Sequence, residues 1–151
     1  MKLAEALQER ADLNIKINQL SDRIENNALV VDGEAPVEDP VALMQELNEC
    51  LDRLEYIIRQ INYTNCKTIL DGYSLTDLIA QRDVLKQKRS LYKDIYYAGS
   101  QSTNRTRNSE IKIVSTIDVV SIQKQIDEIS KEIRRVDNII QAANWAIDLC
   151  E

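Results

Sequence analysis

From Val119 onward, apolar residues return every three or four positions without a miss: Val119, Ile122, Ile126, Ile129, Ile133, Val136, Ile140, Ala143, Ile147 and Cys150. An α-helix, which turns once every ~3.6 residues, places such a series on one face. At about 1.5 Å per residue the segment is on the order of 45 Å long. A helix with a single apolar stripe must bury it against other elements. The rest of the chain therefore has to supply partner stripes.

It supplies three. The glycines Gly33, Gly72 and Gly99 and the prolines Pro36 and Pro40 fall between periodic runs and divide the chain into four segments. Leu3, Ala6, Leu13, Ile17, Leu20 and Ile24 predict a first amphipathic helix to about residue 28, with Arg10 the charged intrusion in its stripe. The second opens at "EDPV", where Asp39 can cap and Pro40 takes the first helical position. Its expected seam is Met44, Leu47, Leu51, Leu54, Ile58 and Ile61. The third opens at "SLTD", a capping-box variant of Ser74 and Asp77, and carries Leu75, Leu78, Leu85, Leu91 and Ile95, interrupted by Arg82. Connections of roughly ten residues favour antiparallel neighbours over a parallel coiled-coil oligomer. The expectation is all-α: an antiparallel up-down-up-down four-helix bundle with long coiled-coil-like helices, forming one domain over residues 1–151. With no Phe and a single Trp, its core is aliphatic. Ile111, Ile113, Ser115 and Ile117 alternate with the period of a strand, which predicts a short β segment at about 110–117. A lone strand needs a partner, either "ALVV" at 28–31 or a second chain.

This topology places the start of the first helix, the end of the second, the start of the third and the end of the fourth at one pole. Arg10, Asn62, Thr64, Asn65, Arg82, Asp83, Gln141, Asn144 and Trp145 belong to those ends. One reading is a polar network that fixes helix register, with Trp145 closing the core. The other is a small pocket in which the two arginines hold an unknown ligand and the Asn side chains orient it. Either requires the members to converge, because a half-satisfied buried polar network is costly.

The loops of the opposite pole differ in charge. Residues 32–55 hold eight acidic residues and one basic, and residues 82–112 hold eight basic and three acidic. Solvated faces account for this. So does a meeting of the two loops within or between chains, in which Arg105, Arg107, Ile111 and Ile113 guide oligomerisation. A homo-oligomer is the expected partner. A net charge of -6 disfavours nucleic acid and anionic lipid, and a basic loop without interleaved aromatics is a weak nucleic-acid signal. Tyr92, Tyr96 and Tyr97, just before that loop, read as packing residues.

Much chemistry is excluded. The sequence has no histidine, which removes Ser-His and Cys-His catalysis, H-E-x-x-H zinc sites and the Glu-x-x-His di-iron sites of helical bundles. Isolated glycines exclude phosphate-cradling loops. Cys50, Cys66 and Cys150 are odd in number and far apart, which argues against a disulfide framework or zinc and for a reducing compartment. Cys66 follows a helix end of the wrong polarity to stabilise a thiolate. No catalytic residue, metal or cofactor is expected. The charged start "MKLAEALQER" has no secretory h-region and no window resembles a spanning helix, so a cytoplasmic location is expected.

Several stretches together resemble one family: "MKLAEALQERADL", "EDP" at 38–40, "INYTN" at 61–65, "QRDVL" at 81–85, "EIK" at 110–112 and "NWAIDL" at 144–149. In order and over nearly the whole chain, these are similar to the septicolysin-like family of small bacterial proteins, a domain of unknown function. The resemblance implies a helical bundle, and recurring polar residues at Asn62, Thr64, Asn65, Arg82, Asp83, Asn144 and Trp145. Tyr63 stands where a basic residue is expected. The cytolysin label implies an alternative function, a membrane-active, pore-forming bundle. Against it stand the hypothesis of a self-associating bundle acting through protein contacts or a polar pocket, and that of an enzyme of unrecognised type at the polar pole.

Overall fold

The structure is a computed structural model that describes residues 1–101 and 111–150. Among the described residues the chain is all-α, as its periodicity predicts: α1 (Leu3–Asn26), α2 (Pro40–Lys67), α3 (Leu75–Ser100) and α4 (Val119–Ala146). A two-residue hairpin, β1 (Ile69–Leu70) and β2 (Tyr73–Ser74), lies between α2 and α3. Its turn is Asp71-Gly72, both at positive φ, the conformation a tight β-hairpin turn demands. The chain contacts cluster into two compact units, Met1–Leu70 with Ala143–Glu151, and Asp71–Ala142.

In the first unit α1 and α2 form an antiparallel hairpin around Leu20, Leu43 and Cys50, flanked by Leu13, Ile17, Ile24 and Leu47. The α1 stripe is the expected one, except that Arg10 points to solvent. The α2 seam is not. Leu43, Cys50, Ile57, Ile61 and Thr64 are buried, whereas the expected seam residues Met44, Leu51 and Ile58 are exposed. At these three positions the buried residue is the one before the expected one. A row of ion pairs along one edge accompanies this packing. Glu9, Lys16 and Arg23, seven residues apart on α1, pair with Arg53 (2.6 Å) and Glu46 (2.7 Å) on α2 and with Glu38 just before it. With Leu43, Cys50 and Ile57 inward these three rungs close, as flanking charges do beside a coiled-coil seam.

Pro40 follows Asp39, whose carboxylate accepts from the Val41 amide at 3.0 Å. Ser74 and Asp77 close a reciprocal box: Asp77 N–H donates to the Ser74 hydroxyl at 3.1 Å, and Ser74 N–H to the Asp77 carboxylate at 2.9 Å. Both caps are as the sequence predicts.

In the second unit, Leu75 and Leu78 of α3 are buried, and Arg82, Leu85, Arg89, Tyr92 and Tyr96 continue their face half-buried. Leu91 and Ile95, expected in that stripe, are exposed. On α4, Ile126, Ile129, Ile133, Val136 and Ile140 are buried, as is Ala143 at its end. The Asp118 carboxylate caps the start of α4 by accepting from the Ser121 amide at 3.1 Å. The β segment expected at about 110–117 does not form among the described residues: 111–117 have no ladder partner. Ile117 instead lies over the bare α-carbon of Gly99, where an added Cβ would come within 2.6 Å of it.

Helix α4 stops at Ala146, so Ile147 and Cys150, expected as seam residues, leave the helix. Backbone bonds take over. Leu3 N–H donates to the Ile147 carbonyl at 3.0 Å and Leu149 N–H to that of Met1 at 2.9 Å, an antiparallel bridge around Lys2 and Asp148. The start of α1, whose first amides have no intrahelical acceptor, thereby gains one from the chain's other end.

Candidate functional site

The polar residues singled out from the sequence fall in both units, and each has a local environment that limits what it can do. Thr64 is 0% exposed. Its hydroxyl donates to the Gln60 carbonyl at 2.7 Å and accepts from the Cys150 amide at 2.9 Å. Helix position puts it there, four residues past Gln60 and on the buried stripe, so its oxygen is committed to holding residues 147–150. Asn144 is buried in the same unit, one residue past Ala143. Among the described residues no buried side-chain N or O atom lacks a partner.

Other members face water. Asn62 and Arg10 are exposed, Asn65 is half-buried, and Trp145 is 66% exposed. Trp145 therefore does not close the core, contrary to expectation. On a helix it follows the buried pair Ala143 and Asn144, and the next position turns away. Asn62 lies with Arg59, Gln60, Tyr63 and Cys66 along an open groove on α2, and the Lys67 ammonium sits 5.4 Å from the Tyr63 ring centre.

In the second unit Arg82 is a half-buried cation. Its guanidinium reaches Asp83 at 2.9 Å and Asp137 at 3.3 Å. Two carboxylates already balance this charge, which lowers the gain from binding an anionic ligand there. Asp137 was not legible as a partner, although its place one residue after the seam position Val136 puts it beside the buried stripe. Gln141 is exposed. Of the residues assigned to oligomerisation, Ile111 and Ile113 are exposed, and Arg105 and Arg107 lie outside the described residues.

The most unusual surface lies in the connection between α1 and α2. Its base is clamped. The Asn27 side chain accepts from the Glu38 amide at 3.0 Å and donates to the Arg23 carbonyl at 2.9 Å, while Arg23 grips the Glu38 carboxylate with two N–H groups, Nε at 3.0 Å. Inside, Glu34 N–H closes a turn onto the Val31 carbonyl at 2.9 Å across Gly33, whose φ of 87° suits a residue without Cβ. The turn holds an aliphatic tip in water: Leu29 is 90% exposed and Val37 97%, with Val30, Val31 and Val41 also exposed. Asp32, Glu34, Glu38 and Asp39 supply its charge, and no Lys or Arg lies between Asn27 and Asp39. Arg23 holds the Glu38 carboxyl below its ordinary value through the hydrogen bonds it donates. A compact loop with close ends and a displayed tip is a common carrier of function.

Among the described residues no helix is long and apolar enough to cross a membrane, and no cluster of His, Cys, Asp or Glu could hold a metal ion.

Residues 10–149 match the model of a family described as a family of unknown function (DUF6847). The chain belongs to this family. Over 99% of both chains it is similar to a crystallised, functionally unknown conserved protein from Corynebacterium diphtheriae, at 35% identity and a TM-score of 0.93. No curated protein matches. The family description names no activity, and the α1–α2 loop and Thr64 lie within the part of the chain it spans.

Proposed function

We propose that this member of the family is a non-catalytic helical scaffold that works through protein contacts and associates with copies of itself. The observation that supports it is the clamped loop between α1 and α2. Five aliphatic side chains in water, Leu29, Val30, Val31, Val37 and Val41, are held around a loop whose base is fixed by Asn27, Arg23 and Glu38. Exposed apolar residues are ordinary when scattered, but five on one clamped connection and the first turn of the helix after it support an interaction surface. Preorganisation matters because a partner then meets a loop whose ordering cost is already met. The polar-pocket alternative is less favoured by the same geometry, since Thr64 is committed to backbone partners and Arg82 to two carboxylates.

Sedimentation equilibrium of the purified chain tests the reading. A mass above that of one chain, growing with concentration and reduced by Leu29→Asp, is the expected result. A single-chain mass at every concentration would refute self-association.

A further inference from the structure

We infer that Asp32 is a site of spontaneous backbone isomerisation, in which the Gly33 amide nitrogen attacks the Asp32 side-chain carboxyl and an isoaspartyl link results. The chain has two Asp-Gly pairs, Asp32-Gly33 and Asp71-Gly72. Glycine has no side chain to screen its own amide, so such pairs admit the attack most readily. Both aspartates are exposed, and nothing lies within 4 Å of where a Cβ would stand on either glycine. Among the described residues no hydrogen bond or ion pair engages either carboxylate. Residue type and exposure therefore do not separate the two sites. Backbone support does.

Ring closure requires rotation about the Cα–C bond of the aspartate, which swings the next amide nitrogen onto the side-chain carbon and undoes the turn. At Asp32 the turn is closed by the Glu34 N–H, which donates to the Val31 carbonyl at 2.9 Å. Residues 28–37 around it belong to no helix or strand, and the clamp by Arg23, Asn27 and Glu38 holds only their base. At Asp71 the same rotation breaks the β1–β2 ladder. Strand β2 ends on Ser74, which is locked to Asp77 and followed by the fully buried Leu75. Backbone opens locally more often where fewer bonds and buried contacts are lost. The loop site is the one that reacts.

The step balances without a co-reactant. The Gly33 nitrogen bonds to Asp32 Cγ, its hydrogen and the carboxyl hydroxyl leave as water, and a five-membered succinimide closes. One water then opens the ring. Attack at Cγ restores the aspartate. Attack at the former backbone carbonyl frees that group as a carboxylate and leaves the chain running through Cβ and Cγ. The mass is unchanged, and the main chain between Val31 and Gly33 is longer by one methylene. The change falls on the displayed tip and leaves the clamp at its base in place. It does not depend on the self-association reading.

Peptide mapping of aged protein tests this. Trypsin cuts after Arg23 and Arg53 and after Lys67 and Arg82, so each pair falls in its own peptide, 24–53 and 68–82. The intact protein is held at physiological temperature and near-neutral pH, digested, and each peptide resolved against a synthetic isoaspartyl standard. The isoaspartyl form of 24–53 should build up at least about tenfold faster than that of 68–82, the factor that one or two additional net hydrogen bonds supply. Peptides aged after digestion have lost the structure, and their rates should draw together. Asp32→Glu, whose ring would need six members, should show no isomer at that site. Equal rates in the intact protein, or a faster Asp71, would overturn the inference. So would a difference that persists undiminished in the free peptides.

Discussion

Replacing Thr64 by Val separates a structural tie from a ligand site. The side chain keeps its shape and loses its oxygen, so the partly buried Cys150 amide loses its acceptor. Leaving such a donor without a partner costs about 1–3 kcal/mol. Exchanging a fully buried hydroxyl for a methyl returns up to ~0.8 kcal/mol of transfer free energy. The net loss is about 0.2–2 kcal/mol, or up to roughly 8 °C in Tm for a domain near 150 residues. Thr64→Ser is the control, because it keeps the oxygen and gives up one methyl. Thermal unfolding by circular dichroism gives the stability, and amide hydrogen exchange gives the location. The Leu149 and Cys150 amides, which donate to Met1 and Thr64, should exchange faster in the Val variant than in the Ser variant. An unchanged Tm with unchanged protection at both amides would refute the assignment of Thr64 as the tie.

Glu38 and Glu46 are held below the ordinary carboxylate range by hydrogen bonds from Arg23 and Lys16. Their contribution to stability is complete above the unfolded-state value of about 4.3 and is lost as pH falls through the lowered folded values. Urea midpoints should hold from neutral pH to about 5 and then fall, and the double variant Glu38→Gln, Glu46→Gln should fall less steeply. Ser74→Ala removes the cap of α3 and should cost about 1 kcal/mol in chemical denaturation. Arg82→Leu, which removes a half-buried charge and leaves Asp83 and Asp137 with water, should shift stability by no more than about 1 kcal/mol and leave the subunit count unchanged. Dye-loaded anionic vesicles should stay intact with the protein from neutral to mildly acidic pH. Release would favour the membrane-active reading that the septicolysin-like resemblance raises.

The helix starts were legible because their signals are local. Asp39-Pro40 and Ser74 with Asp77 each sit within four residues of what they cap. The α2 seam was one residue out at three positions because the sequence carries two apolar lines, one through Met44, Leu51 and Ile58 and one through Leu43, Cys50 and Ile57. Periodicity alone weighs them equally. Packing against α1 decides between them, and the contacts that accompany it, including the ion pairs of Glu9, Lys16 and Arg23, exist only once α1 lies alongside. The same ambiguity on α3 set Leu91 and Ile95 above Tyr92 and Tyr96, although the tyrosines take the inward face. The Asp71-Gly72 hairpin is readable from "LDGY", because Asp-Gly is a local turn signal. The end of α4 was not readable, because Met1 and Leu3, which take up the backbone of Ile147 and Leu149, are distant in sequence. For the candidate site, the acidic character of the α1–α2 loop was visible in composition, but its clamp by Asn27, Arg23 and Glu38 needed three-dimensional structure.

Native mass spectrometry of protein purified from its own host tests self-association most directly, because subunit count and any retained small mass are read together. The expected spectrum is an oligomer of whole chains with no added mass, reverting to single chains when Leu29 and Val31 are changed to Asp. A single chain carrying a small molecule, released on Arg82→Ala or Asn144→Ala, would contradict the account and make the polar residues a binding site.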